Sequence, residues 1–313
     1  MKSVTVFAPA SVANVGCGFD IMGFAIRGIG DRVTISLTEN GESGTLINSG
    51  IFGHLLPAEM ERNTAGVAVR AYLEATGRMD TGVKIRLEKN LPLGSGLGSS
   101  ASSAAAALVG VNQIFGNPLT RKELIPFAME SEKLASGAPH ADNAAPSLLG
   151  GFVLIRSYNP LDIIQIKCPD ELFCIISHPH IQVNTSDARR ILKRDIPMHD
   201  VTRQSANTAA FITGLLREDF DLIGRSMSDF LAEPKRIKLI PGFERVKNAA
   251  IESGALACGI SGSGPSVFAL FRGENNGEKI SAAIEKSFSE AGLESDSFLS
   301  SLNEPGACII KEN

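Results

Sequence analysis

Three glycine-bearing stretches carry the residues whose types and spacing could do chemistry. The most telling is Gly94-Ser95-Gly96-Leu97-Gly98-Ser99-Ser100-Ala101, which lies between a candidate strand and a candidate helix. Glycine lets the backbone approach a ligand closely and adopt positive φ. The helix that follows offers unpaired N–H groups and the positive end of its dipole, a pairing suited to phosphate. Ser99 and Ser100 add hydroxyls able to bond a phosphate or ligate Mg²⁺. A tight turn packing a helix on a sheet would use the same glycines, but three of them with two serines at a helix start favour a phosphate site. The other stretches are Pro9–Asp20 and Gly259–Ser266. At average usage of about 7% the chain would hold roughly 22 glycines. It holds 31, and Gly16, Gly18, Gly94, Gly96, Gly98, Gly259, Gly262 and Gly264 take up nearly all the surplus.

The kind of phosphate loop can be narrowed. A P-loop requires Gly-x-x-x-x-Gly-Lys-Ser/Thr, and no such run occurs. Gly96-Leu97-Gly98-Ser99-Ser100-Ala101 fits the alanine variant of the Rossmann fingerprint. The acidic residue about 20 positions on, which that reading needs, is replaced by the turn Gly116-Asn117-Pro118. Neither a His-Arg-Asp nor an Asp-Phe-Gly run occurs, so the protein-kinase set fails as well.

The elements that must position these residues follow from periodicity and punctuation. Val4–Ala8, Arg32–Glu39 and Val83–Glu88 read as strands, being β-branched or alternating. Ala65–Thr76 reads as a helix stopped by Gly77, and Ala101–Phe115 as a small-residue helix stopped by Gly116-Asn117-Pro118. Thr120-Arg121-Lys122-Glu123 is a capping box for a further helix. Phe152–Arg156, Ile163–Lys167, Leu172–Ser177, Leu256–Ile260, Ser266–Phe271 and Ala307–Lys311 read as strands. Ser186–Lys193, Val201–Arg217, Pro241–Ser253 and Gly277–Ala291 read as helices. The interleaving lacks a regular βαβ order, which favours α+β over a doubly wound sheet. A domain boundary is expected after residue 155, giving halves 1–155 and 156–313.

Composition excludes several function classes. With 30 basic and 34 acidic residues the formal charge is −4, so there is no basic excess for nucleic acid or another extended polyanion; one small phosphate site is unaffected. The longest apolar run, Ala101–Val111, falls short of the roughly 20 residues a membrane span needs. The N-terminus lacks the apolar core of a signal peptide, so a cytoplasmic protein is expected. Cys17, Cys168, Cys174, Cys258 and Cys308 form no Cys-x-x-Cys pair. Four of them lie in or beside apolar runs and read as buried free thiols, while Cys17 sits in a glycine loop. The scattered histidines lack zinc-ligand spacing.

Pro92-Leu93-Gly94-Ser95-Gly96-Leu97-Gly98-Ser99-Ser100-Ala101 resembles the ATP loop of the GHMP kinases, which phosphorylate galactose, homoserine, mevalonate and phosphomevalonate. Pro9-Ala10-Ser11-Val12-Ala13-Asn14-Val15-Gly16-Cys17-Gly18-Phe19-Asp20 is similar to that family's N-terminal substrate motif. Gly259-Ile260-Ser261-Gly262-Ser263-Gly264-Pro265-Ser266 is similar to its C-terminal glycine loop. Three motifs in the family's order make the resemblance specific. The Asn-x-Gly-x-Gly-Phe-Asp ending, the segment Glu132–Pro146 with its His140-Ala141-Asp142-Asn143 run, Thr185–Arg189 and Glu233–Gly242 resemble the family's homoserine kinases. The likeness runs from about Pro9 to Ser266.

The resemblance implies an α+β, two-domain GHMP kinase fold, with a ribosomal S5 domain 2-like N-terminal half and a ferredoxin-like C-terminal half. It implies transfer of phosphate from ATP to the hydroxyl of L-homoserine, in threonine biosynthesis. On that reading Asn63 and the run Pro92–Ser102, Ser102 included, contact ATP, and Ser100 (or Ser99) with Glu132 holds Mg²⁺, which binds hard oxygens and keeps few protein ligands. Homoserine is a zwitterion. Asp20 is the candidate for its ammonium, and Arg189 and Arg236 for its carboxylate. Asn14, His140, Thr185 and Gly262 complete the substrate set. Asn143 stands where mevalonate kinase relatives carry an aspartate base. Asn14, His140 and Asn143 are then the catalytic candidates, the hydroxyl attacking without a strong base, with Asp142 a rival base. The family's habit of forming dimers is a further implication. The alternatives are a mevalonate-type kinase, for which Asp20 would lose its purpose, a non-catalytic ATP-sensing protein, and a dehydrogenase.

Overall fold

The computed structural model describes residues 3–38, 44–193 and 195–312. Strand β1 (Ser3–Ala13) pairs antiparallel with β2 (Met22–Leu37). Both are longer than their apolar alternation suggests, and Glu39, the expected end of the second strand, lies outside the described residues. Their register slips between Pro9 and Ser11, where proline has no N–H for the ladder. A slip of this kind bends a strand, and the end of β1 meets the third glycine stretch: Gly262 donates its N–H to the Ala13 carbonyl at 3.1 Å.

Next come β3 (Thr45–Ser49), α1 (Thr64–Ala75) and β4 (Val83–Glu88), with β3 parallel to β4 and β4 antiparallel to β2. Asn63 caps α1 by accepting the Ala65 N–H at 3.1 Å. Helix α2 (Ser99–Ile114) is buried almost all round, as an evenly apolar helix must be. Its alanines and Gly110 permit close approach: a Cβ on Gly110 would stand 2.7 Å from Ile35 Cγ1. Helix α3 (Arg121–Ser136) starts at the expected Thr120–Glu123 capping box, and α4 (Ala144–Leu149) leads into β5 (Phe152–Tyr158) and β6 (Leu161–Ile166).

The second half runs β7 (Leu172–Pro179), α5 (Thr185–Arg190), α6 (Met198–Arg217), α7 (Phe220–Ser226), α8 (Glu233–Arg236), α9 (Phe243–Glu252), β8 (Ala257–Ile260), β9 (Val267–Arg272), α10 (Gly277–Glu290), β10 (Ser295–Ser301) and β11 (Cys308–Glu312). Its four-stranded antiparallel sheet has the order β10-β7-β9-β8, that of a ferredoxin-like unit. Period-two alternation splits its residues between two cores. Leu172, Cys174, Ile176, Phe268 and Leu270 face Val12, Met22 and Phe24 of the first sheet together with Phe211 of α6. Ile175, Val267, Ala269 and Phe271 face α9 and α10.

At residue 155, where a division between halves is expected, the chain is still within the first sheet. Strand β5 continues through that point to pair with β6, and β11 returns to pair with β1, so both later strands belong to the first sheet. Strands β3 and β10 were not expected, because neither carries a long apolar run; β10 reads Ser-Asp-Ser-Phe-Leu-Ser-Ser. Cys308 is exposed on β11, whereas Cys17 is buried. Residues 1–155 expressed alone are therefore expected to aggregate or to melt without a cooperative transition, since they lack half of β5 and all of β6 and β11. Circular dichroism on heating checks this; a cooperative melt would show those strands to be dispensable.

Candidate active site

The phosphate-type loop sits where the fold needs it to reach a ligand. Helix α2 begins at Gly98, whose φ is +65°, and has no side-chain cap among the described residues, so its first N–H groups are free to meet an anion. Glycine is required here on two counts. Its φ is left-handed, and a Cβ would stand 2.1 Å from Ser11 Oγ and 2.7 Å from Asn143 Oδ1. At Gly96, φ +77°, a Cβ would fall 2.5 Å from the Ser261 carbonyl, so the first and third glycine stretches pack backbone to backbone.

These loops line a cavity of about 480 Å³. Asn63, Leu93, Gly94, Ser95, Gly96, Gly98, Ser99, Ser100, Glu132, Asn143, Thr185 and Gly262 all face it. Of the remaining loop residues, Leu97 packs in the core between the sheets, Ala101 faces the first half's core from α2, and Ser102 Oγ donates to the Ala8 carbonyl at 2.8 Å while accepting the Asp31 N–H at 3.1 Å. Pro92 is also absent from the lining. The side chains of these four serve the loop's shape rather than the cavity.

Ser100 Oγ donates to Glu132 Oε1 at 2.6 Å, and Glu132 is 6% exposed. Burial pushes its carboxyl up, opposed by the Ser100 hydrogen bond and the charge of Lys89. A carboxylate and a hydroxyl on the wall of a phosphate-type cavity suit a hard cation that takes its other ligands from phosphate and water. Among the described residues no cluster of three His, Cys, Asp or Glu could hold a metal by itself.

The substrate candidates gather on the other side of Gly262, which lines both the cavity and a narrow cleft containing Asn14 and Arg236. Asn14 Nδ2 donates to the Gly262 carbonyl at 2.8 Å, its Oδ1 accepts the Asp20 N–H at 3.0 Å, and Arg236 Nη1 donates to the same Gly262 carbonyl at 2.7 Å. Arg236 is 4% exposed, and its guanidinium is held below its ordinary value chiefly by burial. Arg189, one helical turn from Thr185 on α5, donates from one Nη to both Asp20 carboxylate oxygens, at 2.8 Å each. The two guanidiniums flank the Phe19 ring at 5.7 and 5.4 Å. His140 Nδ1 is 3.8 Å from Asp20 Oδ1. Burial holds the ring below its usual pKa against the pull of Asp20, and the two arginines add to the lowering. Asn143 Oδ1 accepts the Ser11 hydroxyl at 2.9 Å. Asp142 is 4% exposed and pushed up to about 8, first by burial and then by Asp20 and Glu132, so it is protonated at neutral pH. Cys17 belongs to the inter-sheet core, and burial pushes its thiol to about 12.

Two residues of the site had no signal in the motifs. Lys89, at the end of β4, lines the cavity and is buried beside Asp31 of β2. Its Nζ donates to Asp31 Oδ2, the Ser99 carbonyl and Ser103 Oγ. Asp31 Oδ1 accepts the N–H groups of Asn90 and Leu91 at 2.9 and 3.1 Å, and Oδ2 accepts Ser103 Oγ at 2.6 Å. The pair thus ties the start of the loop to the first turn of α2. A P-loop carries its lysine after the glycines; here the lysine stands before them, at the end of the preceding strand.

Comparison with known proteins agrees with this geometry. The family profile of the GHMP kinases N terminal domain matches residues 63–151, and that of the GHMP kinases C terminal matches residues 211–290. The homoserine kinase of Chlorobaculum tepidum is 48% identical over 320 residues, 99% of each chain. That of Chloroherpeton thalassium is 49% identical over 319 residues, covering 99% of this chain and 100% of its own. The crystal structure of homoserine kinase from Cytophaga hutchinsonii superposes with a TM-score of 0.94 at 46% identity, covering 98% of this chain and 97% of that one.

Lys89→Met would leave the Asp31 carboxylate buried and unpaired. It is expected to cost about 3–5 kcal/mol, and Asp31→Asn with Lys89→Met to cost clearly less. Urea denaturation of the two proteins checks the order; equal losses would mean that the charge pairing is not what matters.

Proposed function

The chain belongs to the GHMP kinase family, and from that premise we infer that it is a homoserine kinase, an ATP-dependent enzyme that phosphorylates the hydroxyl of L-homoserine. The observation that carries this reading is the adjacency at Gly262 of two unlike sites. One is a cavity with an uncapped helix N-terminus and a Ser100–Glu132 pair. The other is a cluster in which Asp20 pairs with Arg189 and Arg236 stands on the neighbouring cleft with Asp229 and Glu233, so that charges of both signs are present for a zwitterionic amino acid. A mevalonate-type substrate has no ammonium for Asp20 to meet.

In this reading the free N–H groups of Ser99, Ser100 and Ala101 and the backbone of Gly94–Gly98 take the phosphates of ATP, with Asn63 on the nucleoside side. Glu132 and Ser100 would hold Mg²⁺, whose charge would offset that of the phosphate oxygens. Asp20 takes the homoserine ammonium, and Arg189 and Arg236 its carboxylate. Asp20 and Arg189 pair with each other before substrate arrives, so a zwitterion exchanges one ion pair for two and neither charge is left unmatched. A ligand with one of the two charges would strand a partner. The homoserine oxygen attacks the γ-phosphorus, the bond to the β–γ bridging oxygen breaks, and the hydroxyl proton leaves to solvent or phosphate. Such a transfer passes through a loose transition state that asks mainly for alignment and charge neutralisation. That suits a site where Asn143 stands in the wall and Asp142 is buried and protonated.

ADP release measured with ATP and Mg²⁺ is expected to depend on L-homoserine and to be absent with mevalonate; the reverse would overturn the assignment. Asp20→Asn is expected to raise KM for homoserine about 100-fold, the scale of removing a charge-assisted hydrogen bond between enzyme and substrate, with KM for ATP within about twofold. A placed general base contributes about 10²–10⁴-fold. Asp142→Asn is therefore expected to keep kcat within about tenfold of the parent. A thousandfold loss with both substrates still bound would make Asp142 the base.

A further inference from the structure

One of the chain's two tyrosines, Tyr158, closes β5. Strand β5 runs back along the start of β2. Phe152 pairs with Phe24 and Leu154 with Met22, and the Ile155 N–H reaches the Ile21 carbonyl at 2.8 Å. The next residue in that direction is Asp20, whose φ of +60° is left-handed and unfavourable for an L side chain. The Tyr158 side chain carries the contact onward. Its Oη donates to the Asp20 carbonyl at 2.6 Å and accepts the Ala141 N–H at 3.3 Å. The Asp20 backbone is thus held at both polar groups by side chains, since its N–H goes to Asn14 Oδ1. Ala141 lies between His140 and Asp142. Burial, then Asp142, pushes the phenol up, so it stays protonated and able to donate.

We propose that Tyr158 is a positioning residue for the amino-acid head group: one hydroxyl joins the Asp20 carbonyl to the Ala141 amide and so fixes the Asp20 carboxylate against His140 and Arg189. This rests on the reading that Asp20 and His140 face homoserine. The hydroxyl touches backbone on two segments of the substrate side, and Tyr158 does not line the ATP cavity. Its removal should act on one substrate only.

Tyr158 is 37% exposed, and Tyr158→Phe keeps the ring and removes only the link. KM for L-homoserine is expected to rise about tenfold, the scale of one or two neutral hydrogen bonds, with KM for ATP within about twofold and Tm within about 3 °C of the parent. Calorimetric titration of L-homoserine into both proteins should show the same weakening without turnover. An unchanged homoserine affinity would overturn the proposal. So would an equal rise in both KM values with a fall in Tm, which marks a structural role alone. If the parent protein turns over homoserine and Tyr158→Phe matches it, only the role of Tyr158 fails. If the parent releases no ADP with homoserine, the assigned function fails and takes this role with it.

Discussion

A buried Lys89–Asp31 pair is the constraint on which the site depends. Taking either charge out of water alone would be prohibitive, and a charge in a dry interior is tolerated only when paired and fully hydrogen-bonded. Here both conditions are met by groups from four elements. Asp31 comes from β2 and Lys89 from β4, the Asn90 and Leu91 amides open the loop, and Ser103 and the Ser99 carbonyl belong to α2. None of these can shift without leaving a charge short of a partner. The consequence appears one turn away, where the uncapped start of α2 is held facing the cavity. Preorganised dipoles do more for a transferring phosphoryl group than mobile ones, because they need not reorient during the reaction.

The second sheet contributes what the first cannot. Strands β8 and β9 carry Gly259–Ser266 up to Gly96, and Gly262 then takes contacts from both halves: its N–H to Ala13, its carbonyl from Asn14 and Arg236. Arg189 and Arg236 arrive on α5 and α8 from the second half, Arg189 to pair with Asp20 of the first and Arg236 to reach the Gly262 carbonyl. The inter-sheet core that packs Phe24 against Phe268 therefore also bears on how the Asp20 carboxylate meets the Arg189 guanidinium. Binding chemistry and domain packing share one interface, and Leu97 of the glycine loop packs in the same core, so a change there bears on both sides of the site.

What was legible in the sequence is what is local. Positive φ at Gly94, Gly96, Gly98, Gly262 and Gly264 is a property of single residues, and only glycine meets it cheaply, so the loops stood out by composition alone. The Ser100–Glu132 pair and the Asp20, Arg189 and Arg236 cluster were legible only through the family's motifs, since 32 residues separate Ser100 from Glu132 and 169 separate Asp20 from Arg189. Asp31 and Lys89 lie outside every motif; an isolated Asp in a strand and a Lys at the end of another read as solvated charges until the fold brings them, 58 residues apart in sequence, into contact in space. Strand β11 was legible as a strand but not as a partner of β1, because edge pairing leaves no mark on an exposed five-residue run.

The least familiar feature of the site is a carboxylate that does not behave as one beside an amide where a base would be looked for. The two neighbours divide the work by environment. Asp142 is enclosed, and burial first, then the neighbouring Asp20 and Glu132, push its carboxyl up to about 8. Asn143 has its carbonyl oxygen engaged by Ser11, which leaves it N–H groups to offer. A wall that presents donors favours negative charge as it builds on the transferring oxygens, and does little to draw a proton off the attacking hydroxyl. A loose transition state calls for the first and has small need of the second, since the nucleophile acquires little bonding before the leaving group departs. An aspartate in place of Asn143 would set one more negative charge beside the phosphate cavity, close to Glu132. The amide avoids that repulsion.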